Sequence, residues 1–179
     1  MDRTWTGEGT GEGDVETAFC RLFERHQFEI ALYLARLVGD PALAEDLSQD
    51  TFERALRALG RLPEGANTRA WLYRIATNAA LDYLRRRKLV TWLPLFGGDA
   101  DRAARASFAD ASLESVAVQA SLGRLPPRYR VALVLYACQG MSTHEIAAVL
   151  GISPGAVKTR LYRAREKFRQ IYAPEQVER

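Results

Sequence analysis

The stretch SPGAVKTRLYRAREKFR, Ser153 to Arg169, carries six basic residues and one acidic residue in seventeen positions, yet keeps an apolar residue on every turn. The chemistry open to such a set is recognition of a polyanion. On a helical wheel of ~100° per residue, Val157, Leu161, Ala164 and Phe168 gather into one packing stripe. Thr159, Tyr162, Arg163 and Glu166 lie opposite it. Lys158, Arg165 and Arg169 run along one flank, and Arg160 and Lys167 along the other. A helix of this kind can sink one face into its domain and offer the rest to a major groove, with N-terminal residues at base edges and flanking cations at phosphates. Lys158, Thr159, Arg160, Tyr162 and Arg163 are the candidate contacts.

A second basic set lies upstream, in TRAWLYRIATNAALDYLRRRK. Trp71, Leu72, Ile75, Ala79 and Tyr83 form its expected core stripe. Beside them Arg74, Asn78, Leu81 and Arg85 make a ridge at spacing i, i+4, i+7, i+11, and the segment ends in Arg85, Arg86, Arg87 and Lys88. One or two cations there would satisfy the helix dipole, whereas four invite a phosphate backbone. Asn78 carries an amide that can pair with a base edge. A different partner is implied by AEDLSQDTFERAL, where Phe52, Leu56 and Leu59 face inward and Asp46, Gln49 and Glu53 form a polar row at i, i+3, i+7. An anionic row repels DNA, so any contact it makes is with protein.

The whole chain repeats this segregation. Its 179 residues carry a net charge of +3, but residues 14–60 hold nine acidic and five basic side chains, net −4, and residues 61–92 hold two acidic and seven basic, net +5. Residues 93–119 come to −2, and residues 120–179, with ten basic and four acidic, to +6. Two positive blocks separated by negative ones suggest two surfaces for one polyanion. The reading excludes other classes. No apolar run approaches the ~20 residues that span a bilayer, and MDRTWTGEGTGEGD lacks the basic-then-apolar order of a signal peptide, so a cytoplasmic protein without membrane insertion is expected. No paired carboxylates, nucleophile with a base, or phosphate loop is visible, so no catalytic residue and no cofactor is assigned. Cys20 and Cys138, far apart and joined only by His26 and His144, show no metal-ligand spacing. They read as two buried thiols, and the histidines as surface or half-buried structural residues.

The elements that must position these residues are all helical. GEGTGEG near the N-terminus has no strand before it, so residues 1–13 read as a flexible tail. From Asp14 a 3.6-residue period takes over, placing Phe19, Leu22, Phe23, Ile30, Tyr33, Leu34 and Leu37 near one side of a helix or helix pair. Gly39-Asp40-Pro41 stops it and Pro41 opens the next helix. After GRLPEGANT a long helix runs from about Thr68 to Lys88. Residues 89–117 lose the period and carry Pro94, Gly97 and Gly98, so they read as a flexible linker, ~30 Å across as a relaxed coil and at most ~95 Å extended. Helices then resume: one ending near Leu125, then PPRYRVALVLYACQ, STHEIAAVL and PGAVKTRLYRAREKFRQIY. In the last pair Ser142 with Glu145 forms a capping box, Gly151 supplies a tight turn, and Ser153 caps the final helix with Pro154 at its first position. That is a helix-turn-helix. The expected architecture is all-α, with two small domains at 14–88 and 118–173 and a tail at 174–179.

GDPALAEDLSQDTFERALRAL, TRAWLYRIATNAALDYLRRRK, LPPRYRVALVLY and GMSTHEIAAVLGISPGAVKTRLYRAREK, in that order, resemble a bacterial ECF (extracytoplasmic function) sigma factor of the sigma-70 superfamily. The resemblance covers about residues 17–88 and 119–170. It implies a region 2-like domain that binds core RNA polymerase and the −10 element, and a region 4-like domain that binds the −35 element. Asp46, Gln49, Phe52 and Glu53 would meet the clamp helices of the largest polymerase subunit. Asn78 would line the pocket for a flipped base of the −10 element, with Arg74, Arg85, Arg86, Arg87 and Lys88 on backbone phosphates. Lys158, Thr159, Arg160, Tyr162 and Arg163 would read the −35 element. The linker would thread toward the RNA exit path, near the flap region, and the protein would be a monomer within the holoenzyme. A family-like anti-sigma protein would occlude both basic faces. The chain departs from the family in carrying GRLPEGANTRA where an aromatic and Arg/Gly-rich loop often stands before the tryptophan. A stand-alone DNA-binding regulator would use the same C-terminal helix pair, but it leaves the acidic row and the second basic ridge unexplained.

Overall fold

The computed structural model describes the backbone of residues 12–90 and 113–177, with side chains for 15–87 and 114–172. The tail expected at 1–13 and the linker expected at 89–117 therefore fall largely outside the described residues. Seven helices follow one another among the described residues: α1 (Glu12–Val38), α2 (Pro41–Leu59), α3 (Thr68–Val90), α4 (Leu113–Arg124), α5 (Pro127–Ala137), α6 (Thr143–Leu150) and α7 (Pro154–Val177). There is no strand among the described residues. The first segment is one helix, not a pair. α3 runs two residues beyond Lys88, α4 begins inside the stretch read as linker, and α7 continues through Pro174 into the stretch read as tail.

Local chemistry sets the turns. Gly39, at φ 77°, closes α1 through a 2.8 Å hydrogen bond from its N–H to the carbonyl of Ala35. Asp40 then caps α2 by accepting from the N–H of Leu43 at 3.2 Å, and Pro41 follows at the first helical position, where its missing N–H costs nothing. Asn67 caps α3 in the same way, accepting from the N–H of Ala70 at 2.8 Å. α2 buries two hydroxyl residues, Ser48 and Thr51, against its neighbours. Thr51 satisfies itself by donating to the carbonyl of Leu47 at 2.7 Å, so its hydroxyl enters the core paired.

The first module packs α1 against α2 and α3 around Ile30, Tyr33, Leu34, Leu37, Phe52, Leu59, Leu72 and Tyr73. Tyr33 and Tyr73 meet edge to face at 5.0 Å. The second module folds α4 to α7 around Leu122, Leu125, Val131, Leu135, Ile146, Val157 and Leu161. The two modules are not separate. α3 lies against α6, and the C-terminal part of α1 abuts α4 and α5, so the apolar interiors join into one continuous cluster.

Polar contacts fasten that junction. Arg69 donates to the carbonyl of Gln139 at 2.7 Å, and the Tyr73 hydroxyl donates to the Gln139 side-chain oxygen at 2.7 Å. Gln119 reaches the carbonyls of Ala35 and Arg36 at 3.4 and 3.3 Å, at the end of α1. Arg130, 7% exposed, donates to the carbonyls of Leu37, Gly123 and Leu125, joining the last turn of α1 to the last turn of α4. Those carbonyls have no partner within their own helices, which is why a guanidinium fits there. Burial, and then the charge of nearby Arg87, push the Arg130 pKa down to about 10.

Candidate nucleic-acid interface

The C-terminal helix pair is set by its turn. The Glu145 N–H donates to Ser142 Oγ at 3.2 Å and the Ser142 N–H donates to the Glu145 carboxylate at 2.8 Å, completing the capping box of α6. Gly151 follows at φ 64° and ψ 37°, the left-handed region that glycine enters without strain. Ser153 then accepts from the N–H of Ala156 at 3.2 Å to cap α7. Val157, Leu161 and Ala164 are buried and Phe168 is half-buried, as the wheel requires. This leaves Lys158, Thr159, Tyr162 and Arg163 exposed, with Tyr162 at 68%. Arg160 is half-buried, for a reason given below.

Two residues absent from the sequence-derived set support this surface. Arg128, at the start of α5, donates to the Tyr129 hydroxyl at 3.2 Å and lies 4.7 Å from the centre of its ring. Burial raises the Tyr129 pKa, but hydrogen bonds from Arg163 and Arg128 outweigh it and hold the phenol below its ordinary value. Tyr129 thus anchors Arg163 from beneath. The signal was present in PPRYR, two arginines flanking a tyrosine, but the apolar run VALVL that follows makes the segment read as core.

On α3 the ridge emerges as expected in part. Arg74, Asn78, Arg85 and Arg86 are exposed, while Leu81 and Arg87 are half-buried. Arg85 is paired with Asp82 at 3.3 Å in an exposed i, i+3 contact. The Lys88 side chain lies outside the described residues. Beneath the ridge the packing stripe is rotated from the expected one. Tyr73, Ala76, Thr77 and Ala80 are fully buried, and Trp71, Ile75 and Tyr83 only partly so. Sequence periodicity missed this because a threonine and a tyrosine in the core must first find each other. Thr77 donates its one proton to the Tyr73 carbonyl at 2.6 Å, so the Tyr33 hydroxyl, 2.7 Å away, must donate to Thr77 Oγ1. Burial raises the Tyr33 phenol above its ordinary range and, with the Glu29 charge adding to it, pushes Tyr73 up to about 12.

On α2, Asp46, Gln49 and Glu53 are all exposed, and Glu53 pairs with Arg57 at 3.1 Å on the surface. Leu56, expected to face inward, is exposed, whereas Phe52 is buried as that stripe requires. Phe52 is 4% exposed, edge-on to Phe23 at 4.9 Å and to Phe19 at 6.4 Å, and so props the row from below without facing a partner. The cysteines differ too. Cys20 and Cys138 are both exposed, on the outer face of α1 and just past α5, where helix periodicity alone had suggested burial. His26, not the exposed His144, is the buried histidine; burial lowers its pKa despite a 3.4 Å contact with Glu29. No cluster of histidine, cysteine or carboxylate side chains able to hold a metal occurs among the described residues.

The two basic surfaces converge. A cleft of 320 Å³ between the modules is lined by Leu81, Leu84 and Arg85 of α3, by Arg128 of α5 and by Arg160 of α7, over an apolar floor that includes Val131 and Leu150. Arg160 is half-buried because it faces this cleft.

Sequence profiles agree with the division into two modules: Sigma-70 region 2 matches residues 22–90 and Sigma-70 region 4 matches residues 115–168. The chain belongs to the ECF sigma factors of the sigma-70 family. It is 41% identical over 161 residues to RNA polymerase sigma factor CarQ of Myxococcus xanthus, a match covering 88% of this chain and 90% of CarQ. Among solved structures it superposes on the sigma factor RpoE of Bartonella quintana, solved in complex with the anti-sigma factor NepR, with a TM-score of 0.72 and 25% identity over 86% of this chain and 96% of that one. CnrH, solved with the cytosolic domain of CnrY, gives a TM-score of 0.67 and 34% identity over 89% and 90%. As a sigma factor it is a promoter-specific transcription initiation factor. Both modules of the sigma factor then have a job, and the all-α two-domain reading holds.

Proposed function

We propose that this sigma factor docks on core RNA polymerase through Asp46, Gln49 and Glu53, engages the −10 element with Asn78 and the α3 arginines, and reads the −35 element with Lys158, Thr159, Tyr162 and Arg163. The observation that supports the reading most directly is that Asp46, Gln49 and Glu53, then Arg74, Asn78, Arg85 and Arg86, then Lys158, Thr159, Tyr162 and Arg163 are exposed on three helices that bury other faces. The anionic row and the two cationic surfaces also occupy different helices, so protein and DNA can bind together. Arg74, Arg85, Arg86, Arg87 and Lys88 would hold phosphates and fix register, while Asn78 would capture an unstacked base. Arg160, half-buried at the cleft, completes the −35 set.

The protein performs no chemistry of its own in this reading; its partners supply it. The clamp helices and flap region of the polymerase are the protein surfaces, with one copy of the chain per holoenzyme. An anti-sigma protein is the expected regulator, since the similar RpoE was solved with the anti-sigma factor NepR. No helix among the described residues is long and apolar enough to cross a membrane, consistent with action in the cytoplasm, where polymerase and DNA are. The site assignments are tested by in vitro transcription with purified core polymerase. Asn78→Ala and Arg163→Ala should each lower promoter-dependent transcript by roughly 5- to 150-fold, the range of a lost base contact. Unchanged transcript from both variants overturns the assignments. A tight, specific complex with duplex DNA in the absence of core enzyme would instead favour a stand-alone regulator.

A further inference from the structure

We propose that the cleft among α3, α5, α6 and α7 binds a small aliphatic anion, an alkyl phosphate whose chain lies on the apolar floor and whose head is held by the guanidinium groups. The cleft encloses 320 Å³, within the ~300–1,000 Å³ of small-molecule sites. Three of its lining side chains are cations, Arg85, Arg128 and Arg160, each from a different helix. Four more, Leu81, Leu84, Val131 and Leu150, are aliphatic, and no carboxylate lines the space. Walls of one charge sign and low polarity focus their field into a cleft and concentrate the counter-ion there.

The cations are poorly neutralised by the protein itself. Arg160 is half-buried yet has no hydrogen bond or ion pair among the described residues. Arg128 donates to a neutral acceptor, the Tyr129 hydroxyl, at 3.2 Å. Arg85 meets Asp82 at 3.3 Å, but with its side chain 73% exposed that pair is screened by water and readily exchanged for another anion. The backbone adds to the same field. α5 begins at Pro127 and Arg128, both on the cleft, and Pro126 before them provides no side-chain cap. The positive end of the α5 dipole is therefore left for a ligand to meet.

The lining selects among anions. A DNA duplex, whose major groove alone is about 12 Å wide, is too large to enter. A nucleotide would find no aromatic ring to stack on and no neutral polar side chain to pair with its base, since the lining holds neither. A purely inorganic anion would leave the leucines and valine without a partner. An aliphatic chain suits them, and a phosphate monoester, at about −1.5 to −2 charge near pH 7, suits three guanidiniums whose planar forks match phosphate oxygens. Arg85 and Arg160 also belong to the promoter-contacting sets. On that reading, a bound alkyl phosphate and DNA compete for them.

Isothermal titration of the full-length chain with octyl phosphate tests the site. One saturable site per chain is expected. Hexyl phosphate should bind about 15-fold more weakly, at about fourfold per methylene lost, and octanoate about tenfold more weakly for its smaller charge and fewer acceptors. Arg160→Gln should weaken octyl phosphate about tenfold. Leu84→Glu, which sets a carboxylate at a half-buried lining position, should weaken it at least as much. Circular dichroism checks that both variants fold, and either one alone decides if the other does not. The site is overturned if no saturable binding occurs, if inorganic phosphate binds as tightly as octyl phosphate, if octyltrimethylammonium binds equally well, or if folded variants bind like wild type. Binding of a random-sequence 40-base-pair duplex separates the two levels. Saturating octyl phosphate should lower the slope of log affinity against log salt by about two, one for each shared arginine. An unchanged slope with octyl phosphate bound refutes the promoter roles of Arg85 and Arg160, whereas duplex binding without any octyl phosphate binding refutes the ligand site alone.

Discussion

Replacing Gly151 isolates the backbone cost of the turn that aims the recognition helix. The residue sits at φ 64° and ψ 37°, and a Cβ built on it meets nothing within 4 Å. Steric conflict with the rest of the fold is thus absent, and Gly151→Ala costs only the intrinsic penalty of an L-residue in the left-handed region, ~1–2 kcal/mol. The alanine also restricts the unfolded chain, which offsets ~0.4–1 kcal/mol. The net loss is about 1 kcal/mol, or ~2–4 °C in Tm for a chain of this size. Asparagine enters the same region more readily, so Gly151→Asn should lose less than half as much. Gly60 provides the control. It caps α2 at φ −65°, in the right-handed region, and its added Cβ would lie 3.6 Å from a methyl of Val15, an ordinary contact. Gly60→Ala should leave Tm unchanged or raise it. Differential scanning calorimetry of the four proteins reads these shifts directly. The reasoning is refuted if Gly151→Ala matches wild type, or if alanine and asparagine at 151 cost the same while Gly60→Ala costs as much as either.

Tyr33→Phe removes the only proton available to Thr77 Oγ1 from that side, and should cost ~1 kcal/mol in denaturant unfolding while leaving the helical signal intact. His26 is neutral when folded and its pKa lies below 6.5, so the unfolded state takes up its proton first as pH falls; stability is complete above pH 6.5 and declines as pH drops from there toward the folded pKa. His26→Gln should flatten that part of the pH–stability curve, and an unchanged slope would show that the buried imidazole does not contribute. Arg86→Ala, at an exposed position on α3, should weaken holoenzyme binding to promoter DNA about equally across sequences and reduce the salt slope by ~1, measured by filter binding at several salt concentrations.

Much of this fold is legible because its signals are local. The break at Gly39-Asp40-Pro41, the capping box at Ser142 and Glu145, the turn at Gly151 and the stripe of Val157, Leu161 and Ala164 each depend on residues within one or two turns, and each appears in the structure where the sequence places it. What was not legible is long-range. Thr77 looks like a poor core residue until Tyr33, 44 positions away, donates to it, and Tyr73 until the Gln139 side chain accepts from its hydroxyl. Leu56 shares an apolar stripe with Phe52, but Phe19 and Phe23 of α1 meet Phe52 and leave Leu56 exposed. The cysteines follow the apolar runs around them in sequence but face outward, since a run long enough to wrap a helix necessarily includes its solvent side. Arg130 is the clearest case. In PPRYRVALVLY it reads as one more surface cation, and only the carbonyls of Leu37 and Gly123, brought together by two different helices, give it a place inside.

Arg130 also explains why a protein so segregated in charge can close at all. Packing the second module onto the first brings net-positive segments together, and Arg85, Arg128 and Arg160 line one cleft with apolar side chains. Closure must therefore rest on contacts that do not depend on opposite charge. The junction supplies these: shared apolar surface among α1, α3 and the second module, and guanidinium or amide donors aimed at backbone carbonyls. Carbonyl acceptors at helix ends are available whatever the net charge of the helix, and they are better satisfied by a cation than by a neutral donor. The result is an interface that salt strengthens, by screening the opposing arginines. An interface held by ion pairs would respond to salt in the opposite direction, so the sign of that response separates the two designs.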